Sequence, residues 1–172
     1  RRGWHPEKIA PKGSDDLVLV VGAGPAGLEA ARALGQRGYE VILAEARREL
    51  GGRVSAEARL PGLAEWARVR DYRVGQLNKM PNVRVYMESE LNLAQVLEVG
   101  AAHVAIATGS RWRRDGSGRS STSPLDPPPP KEKTFTPDDI MAGQLPEGSV
   151  LVYDDDGFYM ASVLAEKLAR NG

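Results

Sequence analysis

Six residues, Gly22-Ala23-Gly24-Pro25-Ala26-Gly27, place three glycines at the spacing that lets a backbone close around a diphosphate. Gly22 permits a tight turn out of a strand, Gly24 removes the Cβ that would hold backbone away from a pyrophosphate, and Gly27 allows the next helix to pack closely. The anion then rests on exposed amides at the positive end of that helix. Glu45 follows Gly27 by 18 residues, where a carboxylate accepts hydrogen bonds from the ribose hydroxyls of an adenosine. Together these features imply an adenine-nucleotide site; the competing reading is that the glycines merely tighten a turn in an empty domain. Arg47, Arg48 and Arg53 come next. Cations there can recognise a ribose 2′-phosphate, but an ionised Glu45 repels that group, so Arg47 and Arg48 read as solvated surface. Gly51-Gly52 opens the backbone and either brings Arg53 toward phosphate or makes an ordinary turn.

The elements that must position these residues are legible around them. Leu17-Val18-Leu19-Val20-Val21 is apolar, β-branched and stopped by glycine, which predicts a buried parallel strand. Pro25 to Arg37 is rich in alanine and leucine, with Gly38 placed to end a helix. Tyr39 to Glu45 then reads as a second strand, giving a βαβ unit over 17–45. Further on, 61–78 predicts one helix with Leu63, Trp66, Val69 and Leu77 on a face, Val83 to Met87 a strand, 91–99 a short helix, and His103 to Ala107 another strand. Thr108-Gly109 would lie at the carboxyl edge of that sheet, where open α/β folds bind ligands, or would be a plain strand end. His103 reads as a buried strand histidine without a catalytic partner, and Trp66 as a packing aromatic rather than a ligand platform.

From Ser110 to Pro130, Ser, Gly and Pro fill 12 of 21 positions, which predicts a boundary or a long loop. Beyond it, Thr136-Pro137-Asp138-Asp139 has the chemistry of a helix start, and Gly143 ends that helix. Val150 to Tyr153 predicts a fresh strand and Gly157 to Arg170 a helix, after which the chain stops, as though inside a second α/β domain. Asp154-Asp155-Asp156 occupies the turn where a second glycine fingerprint would fall. Three carboxylates there oppose a pyrophosphate; they suit helix capping and solvated charge, with a divalent-cation site as the rarer use.

Composition narrows the classes. The formal charge is zero, from 23 basic and 23 acidic side chains, so no general field gathers nucleic acid or anionic lipid. There is no cysteine, which excludes disulfides, thiolate metal sites and cysteine-ligated clusters from this chain, and His5 and His103 could not build a metal site alone. The longest apolar run, 17–28, falls short of the ~20 residues that span a bilayer. The N-terminal stretch lacks the layout of a secretory signal, and a reducing cytoplasmic setting is expected.

The chain also carries a family resemblance. G-W-H-P-E at 3–7, V-G-A-G-P-A-G at 21–27, G-G-R-V at 51–54, L-P-G-L-A-E-W at 60–66, R-D-Y-R at 70–73, A-T-G-S-R-W at 107–112 and A-E-K-L-A at 165–169 together resemble the C-terminal nucleotide-binding region of the trimethylamine, dimethylamine and histamine dehydrogenases. The resemblance implies an α/β, Rossmann-like dinucleotide-binding domain of the glutathione-reductase-like type, followed by the start of a second α/β domain. It implies an N-terminal extension from a preceding domain over 1–16, an ADP- or FAD-binding domain over 17–110, a linker over 111–135 and a degenerate NAD(P)-binding-like domain over 136–172. In that family a barrel with covalently attached FMN and a cysteine-ligated 4Fe–4S cluster precede this region, the FAD-like site holds ADP, and the second domain lacks a usable dinucleotide site. Related dienoyl-CoA reductases hold FAD and NADPH in the corresponding domains, a branch the acidic turn argues against.

Carried over position by position, Gly22, Ala23, Gly24, Pro25 and Ala26 would hold phosphate, Glu45 the ribose, and Gly52 with Arg53 the neighbouring pyrophosphate edge, with Gly27 and Ala46 also in the site. Thr108 and Gly109 would close the site, with Trp66 and Leu91 as neighbours. The barrel, the FMN attachment site, the cluster cysteines and the amine pocket are all absent from these residues, so the isolated chain is expected to be inactive. The expected partners are an adenine nucleotide and the flavin-barrel and second α/β domains of a parent enzyme. Self-association is expected through an open sheet edge, since the family's last segment of this domain arrives from beyond the second one. A true FAD-binding redox domain and an empty interaction module are the alternatives.

Overall fold

The computed structural model describes residues 9–171; the histidine at position 5 and the 3–7 motif lie outside them. The chain divides into two compact units, one of residues up to 55 with 66–109 and one of 56–65 with 110–172.

The first unit is built on a four-stranded parallel sheet in the order β3-β2-β1-β4. Its strands are β1 (Leu17–Val21), β2 (Glu40–Ala44), β3 (Val83–Tyr86) and β4 (His103–Ile106). Parallel pairing sets Val18 beside Val41 and Val41 beside Val83, with Val20 beside Leu43 and Ala105. Because side chains alternate along a strand, these residues share one face. On it pack α1 (Pro25–Arg37), through Leu28 and Ala31, and α3 (Ala67–Leu77), through Val74 and Leu77. Helix α1 begins at a proline that needs no amide partner and ends at Gly38, whose φ of 92° lets its N–H turn back to the carbonyls of Gly35 and Leu34. Asn82 fastens the same end, donating from Nδ2 to the carbonyls of Gly35 and Tyr39 at 3.0 and 2.7 Å. Short helices α2 (Arg53–Glu57) and α4 (Leu93–Glu98) complete the helical count up to residue 109. Helix α4 opens with a capping box between Asn92 and Gln95.

In the second unit, α5 (Pro137–Met141) and α6 (Tyr159–Asn171) bury Ile140, Met160 and Leu164 against Leu60, with Leu63, Trp112, Val163 and Leu168 around them. Thr136 caps α5 as its sequence requires: its hydroxyl accepts from the Asp139 N–H while the Asp139 carboxylate accepts from the Thr136 N–H.

Three expectations are corrected. Val150 to Tyr153 is not a strand: among the described residues it pairs with no other segment, and Leu151 is 93% exposed. Strand identity comes from a neighbour's ladder, which β-branched residues alone do not supply. The 61–78 helix is shorter, because Gly62 takes a left-handed φ of 72° and a single 3-10 turn over Ala64–Trp66 precedes α3. Leu63 therefore packs in the second unit's core instead of sharing a face with Leu77, and Trp66 is 39% exposed. His103 is exposed rather than buried, because β4 is an edge strand, and its Nε2 lies 3.4 Å from an Asp16 carboxylate oxygen. Helix α2, directly after Gly51-Gly52, is an element for which the sequence offers no expectation.

Candidate nucleotide site

The turn between β1 and α1 is shaped by what each glycine meets. Gly22 has a φ of 98°, and a Cβ on it would come 2.5 Å from the carbonyl oxygen of Ala107. A Cβ on Gly27 would run into the Gly22 carbonyl oxygen. Both positions are closed by the protein's own backbone. Gly24 differs, since nothing lies within 4 Å of a Cβ built there and its φ of −69° suits any residue. Its space opens outward, away from the fold. The first α-helical hydrogen bond runs from Leu28 N–H to the Gly24 carbonyl at 2.9 Å. The amides of Ala26 and Gly27 thus precede the helical ladder and no side chain caps them, while Pro25 has no amide. The result is a helix N-terminus that presents N–H groups and positive dipole beside the one glycine of this turn with free space.

Glu45 sits at the end of β2 and is 7% exposed. Its Oε2 accepts from the Ala23 N–H at 2.7 Å and its Oε1 from the Arg47 N–H at 2.9 Å. The carboxylate is thereby locked against the glycine turn, and each oxygen keeps lone-pair capacity for a further donor. The sheet registers this end: Gly22 N–H donates to Ala44 at 2.8 Å and Ala107 N–H to Val21 at 2.7 Å.

Gly51 and Gly52 lie against the same turn. Gly51 N–H donates to the Ala23 carbonyl at 2.8 Å, and a Cβ on Gly52, at φ 55°, would stand 3.0 Å from Gly24 Cα. Arg53, half-buried, opens α2 from this point. Thr108 follows β4 with its Cα at 3.1 Å from a Cβ on Gly22, so both it and Gly109, whose φ is 84°, stand exposed beside the turn. Close approaches therefore join Gly22, Ala23, Gly24, Gly27, Glu45, Gly52 and Thr108, with Pro25 and Ala26 in the first turn of α1. Ala46 is exposed next to Glu45; Leu91 is half-buried between β3 and α4, and Trp66 stands at the entry to α3, both outside that set of approaches. Sequence reasoning missed Gly51 as the residue that hydrogen-bonds the second glycine pair to the first. Its signal was the doubled glycine, which the text of the chain shows but whose partner it does not name.

Two of the three carboxylates in the acidic turn before α6 accept from backbone amides. Asp154 Oδ1 accepts from Gly157 N–H at 2.9 Å, and the Asp155 carboxylate accepts from the amides of Ser120 and Ser121 at 2.9 and 2.8 Å. Among the described residues no group of three or more His, Asp or Glu is placed to hold a metal ion, and no helix is long and apolar enough to cross a membrane.

A family profile described as an NAD(P)-binding Rossmann-like domain matches residues 20–88, the stretch that holds the turn, Glu45 and β3. Dimethylamine dehydrogenase from Hyphomicrobium sp. (strain x) is 42% identical over the whole of this chain, which spans 24% of that protein. Histamine dehydrogenase from Rhizobium sp. 4-9 superposes with a TM-score of 0.90 at 54% identity, over 99% of this chain and 26% of its own. The 6-hydroxypseudooxynicotine amine oxidase from Pseudomonas geniculata N1 gives a TM-score of 0.89 at 52% identity, again over 99% and 26%. The chain thus spans about a quarter of the length of these relatives. With its parallel sheet and its glycine turn, the chain is a close homologue, over its whole length, of a partial C-terminal region of the dimethylamine and histamine dehydrogenases, and it carries a nucleotide-binding Rossmann-like domain.

Proposed function

We propose that this chain forms the ADP-binding, FAD-like site of an iron–sulfur flavoprotein amine dehydrogenase and carries no catalytic group of its own. One observation carries the reading: Gly24, at the amide end of α1, has free space around its missing Cβ, whereas the flanking Gly22 and Gly27 are closed by backbone. At the amide end of a helix, a glycine with room for a side chain leaves that room to a ligand's phosphate. A diphosphate fits there, received by the amides of Ala26 and Gly27, with Gly52 along its edge and Glu45 at the ribose hydroxyls. Arg53, Ala46, Thr108 and Gly109 are assigned to the rim of the same site, with Trp66 and Leu91 as more distant neighbours.

In the domain organisation we propose, 17–110 holds the nucleotide, 111–135 links, and 136–172 begins a second, degenerate NAD(P)-binding-like domain. Asp154 and Asp155 support that degeneracy, because their carboxylates occupy the turn that would otherwise face a pyrophosphate. FMN and the 4Fe–4S cluster belong to the rest of the parent, whose barrel this region packs against; this chain has no cysteine for either.

The test is calorimetric titration of ADP into the chain and into Gly24→Val. The φ of Gly24 admits valine, so the variant keeps its helical circular dichroism while the branched side chain fills the phosphate approach. Loss of ADP binding with the fold retained is the expected result. Equal affinities in the two proteins would remove the phosphate from this turn.

A further inference from the structure

We infer that Glu88 is a specificity-determining residue of the nucleotide site: it holds the Arg48 guanidinium on the loop after β3 and so withholds it from a ribose 2′-phosphate. The inference rests on the reading of the glycine turn and Glu45 as an adenosine-diphosphate site.

Arg47 and Arg48 lie two and three residues beyond the ribose acid, a region from which an arginine can receive a 2′-phosphate in dinucleotide sites. Arg47 is held to Glu45 through its backbone N–H, a bond that does not involve its guanidinium. The Arg48 side chain is turned aside: its Nε lies 2.6 Å from Glu88 Oε1, although the two side chains are 86% and 60% exposed. Backbone bonds bring Glu88 to that spot. Glu45 N–H donates to Tyr86 at 2.8 Å, Glu88 N–H to Arg47 at 3.1 Å and Ser89 N–H to Glu45 at 2.8 Å, so the loop after β3 is stitched to the loop after β2.

This stitching puts Glu88 at a φ of 53°, the one positive value at a non-glycine position among the described residues. Glycine takes that conformation freely, whereas a residue with a Cβ is strained in it. A glutamate thus stands where the backbone would suit glycine, with its carboxylate on the Arg48 guanidinium. Charge neutralisation of Arg48 leaves Glu45 to select an unphosphorylated ribose, which is the chemistry of ADP, FAD or NAD rather than of a 2′-phosphorylated nucleotide.

The experiment titrates 5′-ADP and 2′-phospho-5′-AMP separately into the full chain, Glu88→Gly, Glu88→Gly with Arg48→Ala, and Glu88→Gln, at low ionic strength. Glu88→Gly relieves the backbone while deleting the carboxylate, so it folds. The parent is expected to favour 5′-ADP. Glu88→Gly should raise affinity for the 2′-phosphorylated ligand at least fivefold and leave 5′-ADP within twofold, and Glu88→Gln should shift the preference the same way. Adding Arg48→Ala should cancel the gain, and added salt should shrink it. A preference unchanged within twofold in both single variants, or a gain that survives loss of Arg48, overturns the inference while the site stands. Binding of neither ligand by the parent overturns the site reading itself.

Discussion

A buried carboxylate is costly unless its oxygens are occupied, and Glu45 meets that condition with backbone amides of its own chain. Ala23 and Arg47 each donate to one oxygen, which fixes the carboxylate before any ligand arrives. The ribose hydroxyls would then meet an acceptor that has no rotamer left to choose. Glu45→Ala should weaken ADP binding by about 1–3 kcal/mol, since it removes those acceptors and frees the Ala23 amide as well. Calorimetry beside the parent checks this, and an unchanged dissociation constant would take Glu45 out of the site. At this scale much was legible. The glycine spacing and the acid at the strand end announced themselves because each answers a local steric or chemical need. Which glycine faces outward, and the left-handed Glu88 opposite Arg48, were not legible, because both depend on segments brought together by the sheet.

Elements formed where local signals agreed with a neighbour. Strand β1, helix α1 and the Thr136 cap carry start and stop signals within a few residues, and they fold as read. Val150 to Tyr153 has the composition of a strand and no ladder, and His103 lies on an edge that its own sequence does not reveal. The Thr136 cap gives a prediction for the second unit. Burial pushes the Asp139 carboxyl upward, but the amide and hydroxyl of Thr136 and the Arg114 guanidinium outweigh it and hold the group below its ordinary 3.8. A lowered folded value means that this stabilisation is complete above the ordinary pKa and is lost as pH falls through the folded one. Thr136→Ala should therefore cost about 1 kcal/mol near neutrality, and the gap between variant and parent in thermal melts should narrow below about pH 4. A gap independent of pH down to pH 2 would mean that Asp139 contributes nothing through its charge.

The chain spans about a quarter of the length of the relatives it matches. In the first unit α1 and α3 cover one face of the sheet, while on the other Tyr86, Val104 and Ile106 remain 47%, 42% and 67% exposed. Apolar residues on an edge strand suit a place inside a larger protein better than a free surface. The central claim is nonetheless contained in the first unit alone, since the glycine turn, Glu45 and the Gly51-Gly52 turn all belong to it. The most direct measurement is to purify the chain, denature it and identify any released small molecule by absorbance and mass. The account predicts ADP, colourless and in a ratio near one per chain. Release of FAD would make the site a flavin site and contradict its non-redox role, and a chain that releases nothing and binds no added ADP would contradict the nucleotide site altogether.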